Sequence, residues 1–171
     1  MMPRNIEIKA RALNWERQSA LAHDLSEREP QLLMQEDTFF NVSAGWLKLR
    51  IFENSSGELI HYERENRDGP RESRYVRAPI NDPQALKTVL TNALGIKGII
   101  RKKRTVLIVG PSRIHLDEVE GLGTFLEIEV VLDSDQSAAV GVGIAEELMA
   151  KLEIRKEDLV ASAYVDLMET S

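Results

Sequence analysis

Charged and apolar side chains alternate along several short segments of this chain. The pattern is found at residues 7–11, 46–51, 113–117 and 126–130. Successive side chains of a strand point to opposite faces, so each segment predicts a strand with one apolar and one charged face. Both signs of charge recur on strand after strand, and the opposite faces are apolar enough to form a core. We therefore expect a sheet curled around a polar interior, which would suit a polyanionic ligand together with a metal cation.

Turn residues divide the chain into eight predicted strands. Glycine, proline, asparagine and serine cluster between the apolar runs, as they do in turns. The strands are expected at 4–13, 32–41, 46–53, 58–64, 73–78, 99–109, 113–120 and 124–132. Most connections between them are short, which favours antiparallel neighbours.

Helices are expected between and after these strands. Asp82 followed by Pro83 is a typical helix start, and Gly95 is a typical end. The predicted helices lie at about 15–29, 83–94, 136–152 and 158–168. The fold class is therefore α+β, and about eight strands can close into a barrel wide enough to hold a small ligand. Residues 1–171 are expected to form a single domain.

Composition narrows the possible functions. The chain is 43% hydrophobic and 29% charged, enough for a buried core, and its net charge of −6 argues against binding to nucleic acid. It contains no cysteine, which excludes disulfides, thiolate zinc sites and thiol nucleophiles. No stretch resembles a signal peptide, and none approaches the roughly 20 apolar residues of a membrane-spanning helix. We expect a cytoplasmic protein that does not bind membranes.

Four carboxylates are candidate metal ligands. Glu127 and Glu129 share a strand face, Glu7 lies on the charged face of the first strand, and Asp117 is in phase with its charged neighbours. Carboxylates directed into one interior repel each other unless cations neutralise them. Oxygen ligands without cysteine or paired histidines suit Mg²⁺ or Mn²⁺ better than zinc. Alternatively, Glu127 and Glu129 lie on a solvated face or pair with lysines.

Cationic side chains occupy the same charged faces. Arginine offers a planar fork to phosphate oxygens and lysine a point charge, so a triphosphate with bound metal could be held by several of them. In the run 101–104, only alternate members can point inward, and Lys102 and Arg104 continue the phase of Ile100. A surface patch is the alternative, and an error of one residue in phase would exchange the two faces. His115, in phase with Asp117, is a further candidate for the site, or else a hydrogen-bonded strand histidine.

Six motifs, in order and at compatible spacing, resemble one known family. The segment Asn5-Ile6-Glu7-Ile8-Lys9 is similar to a Glu-x-Glu-x-Lys signature, and the other motifs lie at 35–40, 47–50, 62–73, 102–104 and 115–129. By these motifs the chain resembles the CYTH superfamily of triphosphate tunnel metalloenzymes. That superfamily contains class IV adenylate cyclases, thiamine triphosphatases and inorganic triphosphatases. The last motif is most similar to the cyclase branch.

The resemblance implies an eight-stranded antiparallel tunnel that is open at both ends and binds a triphosphate with a divalent metal. The residues that it places on the metal are Glu7, Glu127 and Glu129, with Asp117 as a further candidate. Those that it places on the phosphates are Lys9, Lys48, Arg50, Arg64, Lys102, Arg104 and Arg113. It also makes a homodimer plausible.

Two positions depart from the family pattern. Asn5 stands at the first glutamate of the signature and has no charge, and Arg64 stands where lysine is frequent. A class IV cyclase-like enzyme that converts ATP to cyclic AMP and pyrophosphate is the preferred interpretation. The alternatives are a triphosphatase, a non-catalytic polyphosphate- or nucleotide-binding module, and a structural barrel whose charges pair among themselves.

Overall fold

The computed structural model describes residues 2–170, which form a closed antiparallel β-barrel of eight strands flanked by helices. The strands are β1 (Arg4–Arg11), β2 (Gln31–Phe40), β3 (Trp46–Phe52), β4 (Gly57–Arg64), β5 (Arg71–Ile80), β6 (Ile96–Val109), β7 (Ser112–Val119) and β8 (Gly123–Val131). The helices are α1 (Trp15–Leu25), α2 (Pro83–Leu94), α3 (Ala138–Lys151) and α4 (Tyr164–Thr170), with a 3₁₀ turn at Lys156–Asp158. The predicted fold class is confirmed.

The order of strands around the barrel is β1-β5-β4-β3-β2-β6-β7-β8, and β8 pairs with β1 to close it. β1 and β5 pair over only four residues, whereas β1 and β8 pair over seven. Closure removes both sheet edges, so every strand pairs with two neighbours.

The hydrophobic core lies outside the barrel, between the sheet and the helices. The outward faces of β1, β7 and β8 pack against α1 and α3. α2 covers β2 and β3, and α4 packs on Ile100 and Phe125. Because side chains alternate along each strand, this arrangement directs the charged positions into the barrel.

Two helices, α1 and α4, differ by several residues from their predicted ranges. α1 ends at Leu25 because Ser26 is extended and the Glu27 amide donates a hydrogen bond to the Ile108 carbonyl of β6. The last helix begins at Tyr164 and not near 158. The preceding residues run along β1, where Leu159 pairs with Ala10 and the Val160 amide donates to the Lys9 carbonyl.

Within residues 2–170, none of the helices has the length and apolar character needed to span a membrane.

Candidate active site

One interior cavity collects most of the charged side chains predicted to face inward. Among the described residues 2–170, eight cationic side chains and four carboxylates line it. The cations are Lys9, Lys48, Arg50, Arg64, Arg71, Arg77, Lys102 and Arg104, and the carboxylates are Glu7, Asp37, Glu127 and Glu129. The cavity therefore carries an excess of positive charge although the whole chain is acidic.

Asp37, on β2, anchors the cations of β3 and β6. Its two oxygens accept hydrogen bonds from Arg50 Nε and Nη2, both at 2.8 Å. Lys102 Nζ donates to Oδ2 at 2.7 Å, and Lys48 Nζ lies 3.8 Å from the same oxygen. Burial alone would raise the pKa of Asp37, but Arg50 and the two lysines hold it well below its usual value. Asp37 is thus a buried anion shared by three cations.

The three lysines of the cavity have lowered pKa values. Burial, together with the neighbouring Arg50, holds the pKa of Lys48 well below its usual value. Burial also lowers the pKa of Lys102 to about 8, although Asp37 opposes this shift. Lys9 falls to a pKa of about 8 for the same reason, opposed by Glu127. An anion bound among them would stabilise their charged forms.

Asp117 is committed to a second ion-pair cluster. Arg104 Nε and Nη2 donate to its two oxygens at 2.7 Å, and the Tyr164 hydroxyl donates to Oδ2, also at 2.7 Å. Arg104 Nη2 also reaches Glu127 Oε2 at 3.1 Å, and His115 Nδ1 lies 3.5 Å from that oxygen. Both oxygens of Asp117 therefore accept hydrogen bonds from protein donors, and Asp117 is not among the residues that line the first cavity.

Glu7, Glu127 and Glu129 form the acidic side of the cavity. Glu7 and Glu129 are directly paired across β1 and β8, and Glu127 is the next inward residue of β8. Burial raises the pKa of Glu7, and Glu127 and Glu129 raise it further, against the opposing effect of Arg64. Arg64 Nε lies 3.1 Å from Glu7 Oε1, and Arg71 Nε lies 3.7 Å from it.

The donor atoms of this acidic side suit a divalent cation, although Glu7 already pairs with Arg64 and Glu127 with Arg104. As the side chains stand in residues 2–170, no three acidic or histidine groups are close enough together to hold a metal ion. Burial is the main cause of the raised pKa of Glu7, and Glu127 and Glu129 add to it, so a bound cation would favour the ionised form. Their donor atoms are the hard oxygens that Mg²⁺ and Mn²⁺ prefer.

The inward phase predicted for β6 matches the structure. Lys102 and Arg104 are buried in the barrel, whereas Arg101 and Lys103 lie outside and pair with Glu36 and Glu118. Arg113, expected with the phosphate-binding set, does not line the first cavity.

Arg113 lines a second cavity on the other side of Arg50 and Arg104. This cavity has a volume of about 330 Å³, against about 90 Å³ for the first. Four apolar side chains form part of its wall: Leu33, Phe52, Val106 and Ile108. Gln35 also lines it, and the buried Oε1 atom of Gln35 has no hydrogen-bond partner within residues 2–170.

The segment before α4 lies against the first cavity. The Ser162 carbonyl accepts a hydrogen bond from Lys9 Nζ at 3.1 Å. The Ala161 carbonyl accepts from Arg64 Nη1 at 2.9 Å and from Arg71 Nη1 at 2.7 Å. This segment is therefore in direct contact with three cations of the first cavity.

The residues of the first cavity that sequence reasoning missed include three charged side chains, Asp37, Arg71 and Arg77, and the aromatic Tyr164. Asp37 and Arg71 lie inside motifs recognised in the sequence, so those motifs carried a signal for both. Arg77 lies six residues after Arg71 on β5 and therefore on the same face of the strand. Tyr164 gave no signal because its contact with the barrel depends on the path of the C-terminal segment.

The sequence profile of the CYTH domain matches residues 3–164, nearly the whole chain. The chain belongs to the CYTH domain family. This membership agrees with the closed barrel, and the motifs recognised in the sequence lie on its strands.

Individual relatives agree with this family. A Methanocaldococcus jannaschii protein named "Putative adenylate cyclase" is 26% identical over 141 residues, which are 78% of this chain and 80% of that protein. The structure of a Pyrococcus horikoshii protein superposes with a TM-score of 0.84 at 23% identity, covering 95% of this chain and 98% of the other. A Hippeastrum protein, described as a "putative adenylyl cyclase" with a dominant triphosphatase activity, superposes with a TM-score of 0.65 at 21% identity, covering 93% and 91%.

Proposed function

We propose that this CYTH protein is a metal-dependent enzyme that binds a triphosphate inside its barrel and converts ATP to cyclic AMP and pyrophosphate. The observation that carries the proposal is the first cavity, where eight cationic side chains face four carboxylates. An enclosed site with such an excess of positive charge is costly to maintain without an anion. A triphosphate supplies negative charge of the required size.

The cations would position the phosphate chain and neutralise its charge. Arg50 and Arg104 present planar forks, whereas Lys48 and Lys102 contribute point charges from neighbouring strands. Lys48 is the least compensated of these, because its closest carboxylate oxygen lies 3.8 Å away. Phosphoryl chemistry depends mainly on such positioning and charge stabilisation.

Glu7, Glu127 and Glu129 would hold the divalent metal, and Mg²⁺ or Mn²⁺ suits their oxygen donors. When bound, the metal would neutralise charge that develops on the phosphate oxygens. Arg64 and Arg71 keep Glu7 oriented toward the cavity through the contacts at 3.1 and 3.7 Å.

In cyclisation, the ribose 3′-oxygen would bond to the α-phosphorus, and the bond between the α-phosphorus and the oxygen that bridges to the β-phosphorus would break. The hydroxyl proton would pass through solvent to the departing pyrophosphate. Pyrophosphate leaves with the negative charge of the broken bond. Cations around the β- and γ-phosphates lower the barrier because they stabilise that charge as it develops. The first cavity would surround the phosphate chain of the nucleotide with such groups on several sides.

The second cavity supports a nucleotide as the substrate. Its volume of about 330 Å³ falls in the range of roughly 300–1,000 Å³ that is typical of small-molecule sites. Apolar side chains and a buried amide next to Arg50 and Arg104 offer room for a nucleoside beside its phosphates.

A triphosphatase is the second candidate. The first cavity is smaller than the second, about 90 against about 330 Å³, and charged side chains dominate its lining. Hydrolysis of a short polyphosphate would need that cavity alone. The activity described for the Hippeastrum protein is of this kind.

The test is incubation with ATP and, separately, tripolyphosphate, each with Mg²⁺ or Mn²⁺, followed by chromatographic separation of the products. Cyclic AMP and pyrophosphate are expected from ATP. If orthophosphate is the only product, the protein is a triphosphatase and not a cyclase. Binding seen by calorimetry without turnover would indicate a binding module, and no binding would leave only the structural barrel.

Two neighbouring lysines of β6 provide a matched pair of variants. Lys102 faces the cavity and Lys103 faces outward, where it pairs with Glu118 at 3.5 Å. We expect Lys102→Met to lower kcat/KM about 100-fold, the size of effect seen when one charge-stabilising donor is removed. Lys103→Met should behave like the unmodified protein. Equal losses in both variants would mean that the interior cations do not act on the substrate.

A further inference from the structure

Tyr164, the first residue of α4, reaches from the C-terminal helix into the first cavity. Its ring centroid lies 3.9 Å from Lys9 Nζ, and its side chain lines the same cavity as that ammonium group. Its hydroxyl donates to Asp117 Oδ2 at 2.7 Å. The residue is 5% exposed, and its ring packs edge-on against Phe125. One side chain thus contacts a cation of β1 and an anion of β7.

The contact with Lys9 fixes the direction of the ammonium group. A cation over an aromatic face is attracted by the ring, and the attraction increases when water is excluded. Lys9 Nζ also donates to the Ser162 carbonyl at 3.1 Å and lies 3.7 Å from Glu127 Oε1. Ser162 lies just before α4 and Tyr164 is its first residue, so the position of Lys9 depends on the docking of this part of the chain.

The contact with Asp117 acts on Arg104. Asp117 accepts both fork hydrogen bonds of Arg104 at 2.7 Å, and the Tyr164 hydroxyl restrains the second oxygen. Arg104 lines both cavities, where it would face the phosphates. A tilt of the Asp117 carboxylate would rotate the guanidinium plane, since the two groups are joined by two parallel hydrogen bonds.

We propose that Tyr164 is a positioning residue for triphosphate binding, whose ring orients Lys9 and whose hydroxyl orients Arg104 through Asp117. The inference rests on the proposed function. It couples the docking of α4 to the arrangement of the phosphate-binding cations, because the Tyr164 side chain contacts both. Tyr164 itself need not touch the substrate.

Two substitutions separate the contributions of the ring and the hydroxyl. Tyr164→Phe keeps the ring over Lys9 and removes the hydrogen bond to Asp117, whereas Tyr164→Leu removes both. We expect the dissociation constant for tripolyphosphate to rise about tenfold in Tyr164→Phe and about 100-fold in Tyr164→Leu, as for loss of one and then two charge-assisted contacts. Isothermal calorimetry measures these constants.

Leu167→Ala is the matched control. Leu167 packs in the same apolar cluster from the same helix but is not among the residues that line the first cavity. We expect this variant to lower the thermal midpoint about as much as Tyr164→Leu, with tripolyphosphate affinity within about twofold of the unmodified protein.

Steady-state kinetics distinguish positioning from mere packing. A variant that is only less stable has fewer active molecules, so its apparent kcat falls while KM stays the same. Loss of a positioned cation that contacts the ground state raises KM. We expect Tyr164→Leu to raise KM and Tyr164→Phe to recover part of the loss.

The outcomes separate this inference from the proposed function. An unmodified protein that binds neither ATP nor tripolyphosphate overturns both. An unmodified protein that binds, with unchanged affinity and KM in both Tyr164 variants, overturns the inference alone. It is equally overturned if Leu167→Ala raises KM as much as Tyr164→Leu does.

Discussion

At the scale of single residues, Asp37 is a buried carboxylate that is hydrogen-bonded to two cations. It is 1% exposed and holds the Arg50 fork and the Lys102 ammonium with three hydrogen bonds of 2.7–2.8 Å. Removing one member of a buried ion pair leaves its partner charged and without compensation, which is more costly than the intact pair is favourable. The side chain therefore has a structural role as well as a place in the cavity.

Asp37→Asn should lower the free energy of unfolding by about 3–5 kcal/mol, because Arg50 and Lys102 lose their counter-charge. Urea denaturation measures the loss, and added tripolyphosphate should restore part of it. Glu36→Gln is the control on the same strand: Glu36 faces outward and pairs with Lys87 and Arg101. Its loss should stay below about 1 kcal/mol. Similar losses in the two variants would contradict the assigned role of Asp37.

Asn5 is the second informative residue. It is 4% exposed, lines the first cavity, and its Oδ1 atom has no hydrogen-bond partner within residues 2–170. It precedes Glu7 by two residues on the inward face of β1, so a carboxylate here would join the acidic side of the cavity. The natural asparagine keeps that side less negative.

Asn5→Glu should lower the thermal midpoint in EDTA, because a fourth carboxylate then joins Glu7, Glu127 and Glu129. It should also tighten Mn²⁺ binding by about tenfold, since each added anionic ligand raises affinity for a hard cation. Calorimetry and thermal unfolding with and without Mn²⁺ test both effects. A variant that is equally destabilised in both conditions would show that the carboxylate does not meet the metal.

At the scale of elements, two glycines allow helices to approach the barrel closely. A Cβ atom at Gly98 on β6 would lie 2.6 Å from Val165 Cγ2 of α4, and one at Gly141 on α3 would lie 2.5 Å from Ile6 Cγ1 of β1. Real Cβ contacts are not this short, so a side chain at Gly98 must push Val165 aside and one at Gly141 must push Ile6 aside. α4 contacts the phosphate site through Tyr164, whereas α3 packs on the outside of the sheet.

Gly98→Ala and Gly141→Ala should therefore have similar effects on stability but different effects on tripolyphosphate binding. Each overpacks a close contact and should lower the free energy of unfolding by about 1–3 kcal/mol. Only Gly98→Ala should weaken tripolyphosphate binding, by about tenfold, because it moves Val165 and with it the neighbouring Tyr164. Calorimetry on both variants provides the comparison. Equal affinities would mean that α4 can shift without disturbing the cavity.

At the scale of the whole molecule, charge is separated between interior and surface. The chain has a net charge of −6, yet its main cavity is positive. This separation allows an acidic protein to attract a polyanion to its positive cavity. It also makes binding dependent on the protonation of the two lysines whose pKa is lowered to about 8, Lys9 and Lys102.

Tripolyphosphate affinity should fall as the pH is raised from 7 to 9. The free protein loses the charge of Lys9 and Lys102 near pH 8, while the bound anion keeps both protonated, so binding above pH 8 takes up protons. Calorimetry in buffers of different ionisation enthalpy measures that uptake, and Lys102→Met should reduce it by one group. An affinity that is constant over this range would contradict the assignment.

The stability of the unligated protein should change with pH in the opposite direction to the tripolyphosphate affinity. Both folded-state pKa values lie below the value of 10.5 for an exposed lysine, so the unfolded chain binds more protons between about pH 8 and 10. These two groups therefore make the unligated protein more stable as the pH rises through that interval.

The alternation of charge predicted the faces of most strands. Lys102 and Arg104 face inward and Lys103 outward, because consecutive side chains of a strand must point to opposite sides. The ends of helices were less predictable: α1 stops at Leu25 when the chain turns to pair with β6, a contact 81 residues distant in sequence between Glu27 and Ile108. Local signals such as Pro30 cannot predict a contact between residues so far apart in the sequence.

By itself, the sequence determined the eight strands, their inward faces and the family motifs, because each of these depends on neighbours within a few residues. Only the tertiary structure decided how the interior charges are shared. Asp117 is engaged by Arg104 and Tyr164, Arg113 lies in a second cavity, and residues 161–164 contact the cations of β1, β4 and β5. These contacts join strands and a C-terminal segment far apart in the chain, so they follow from the register of barrel closure and not from any local pattern.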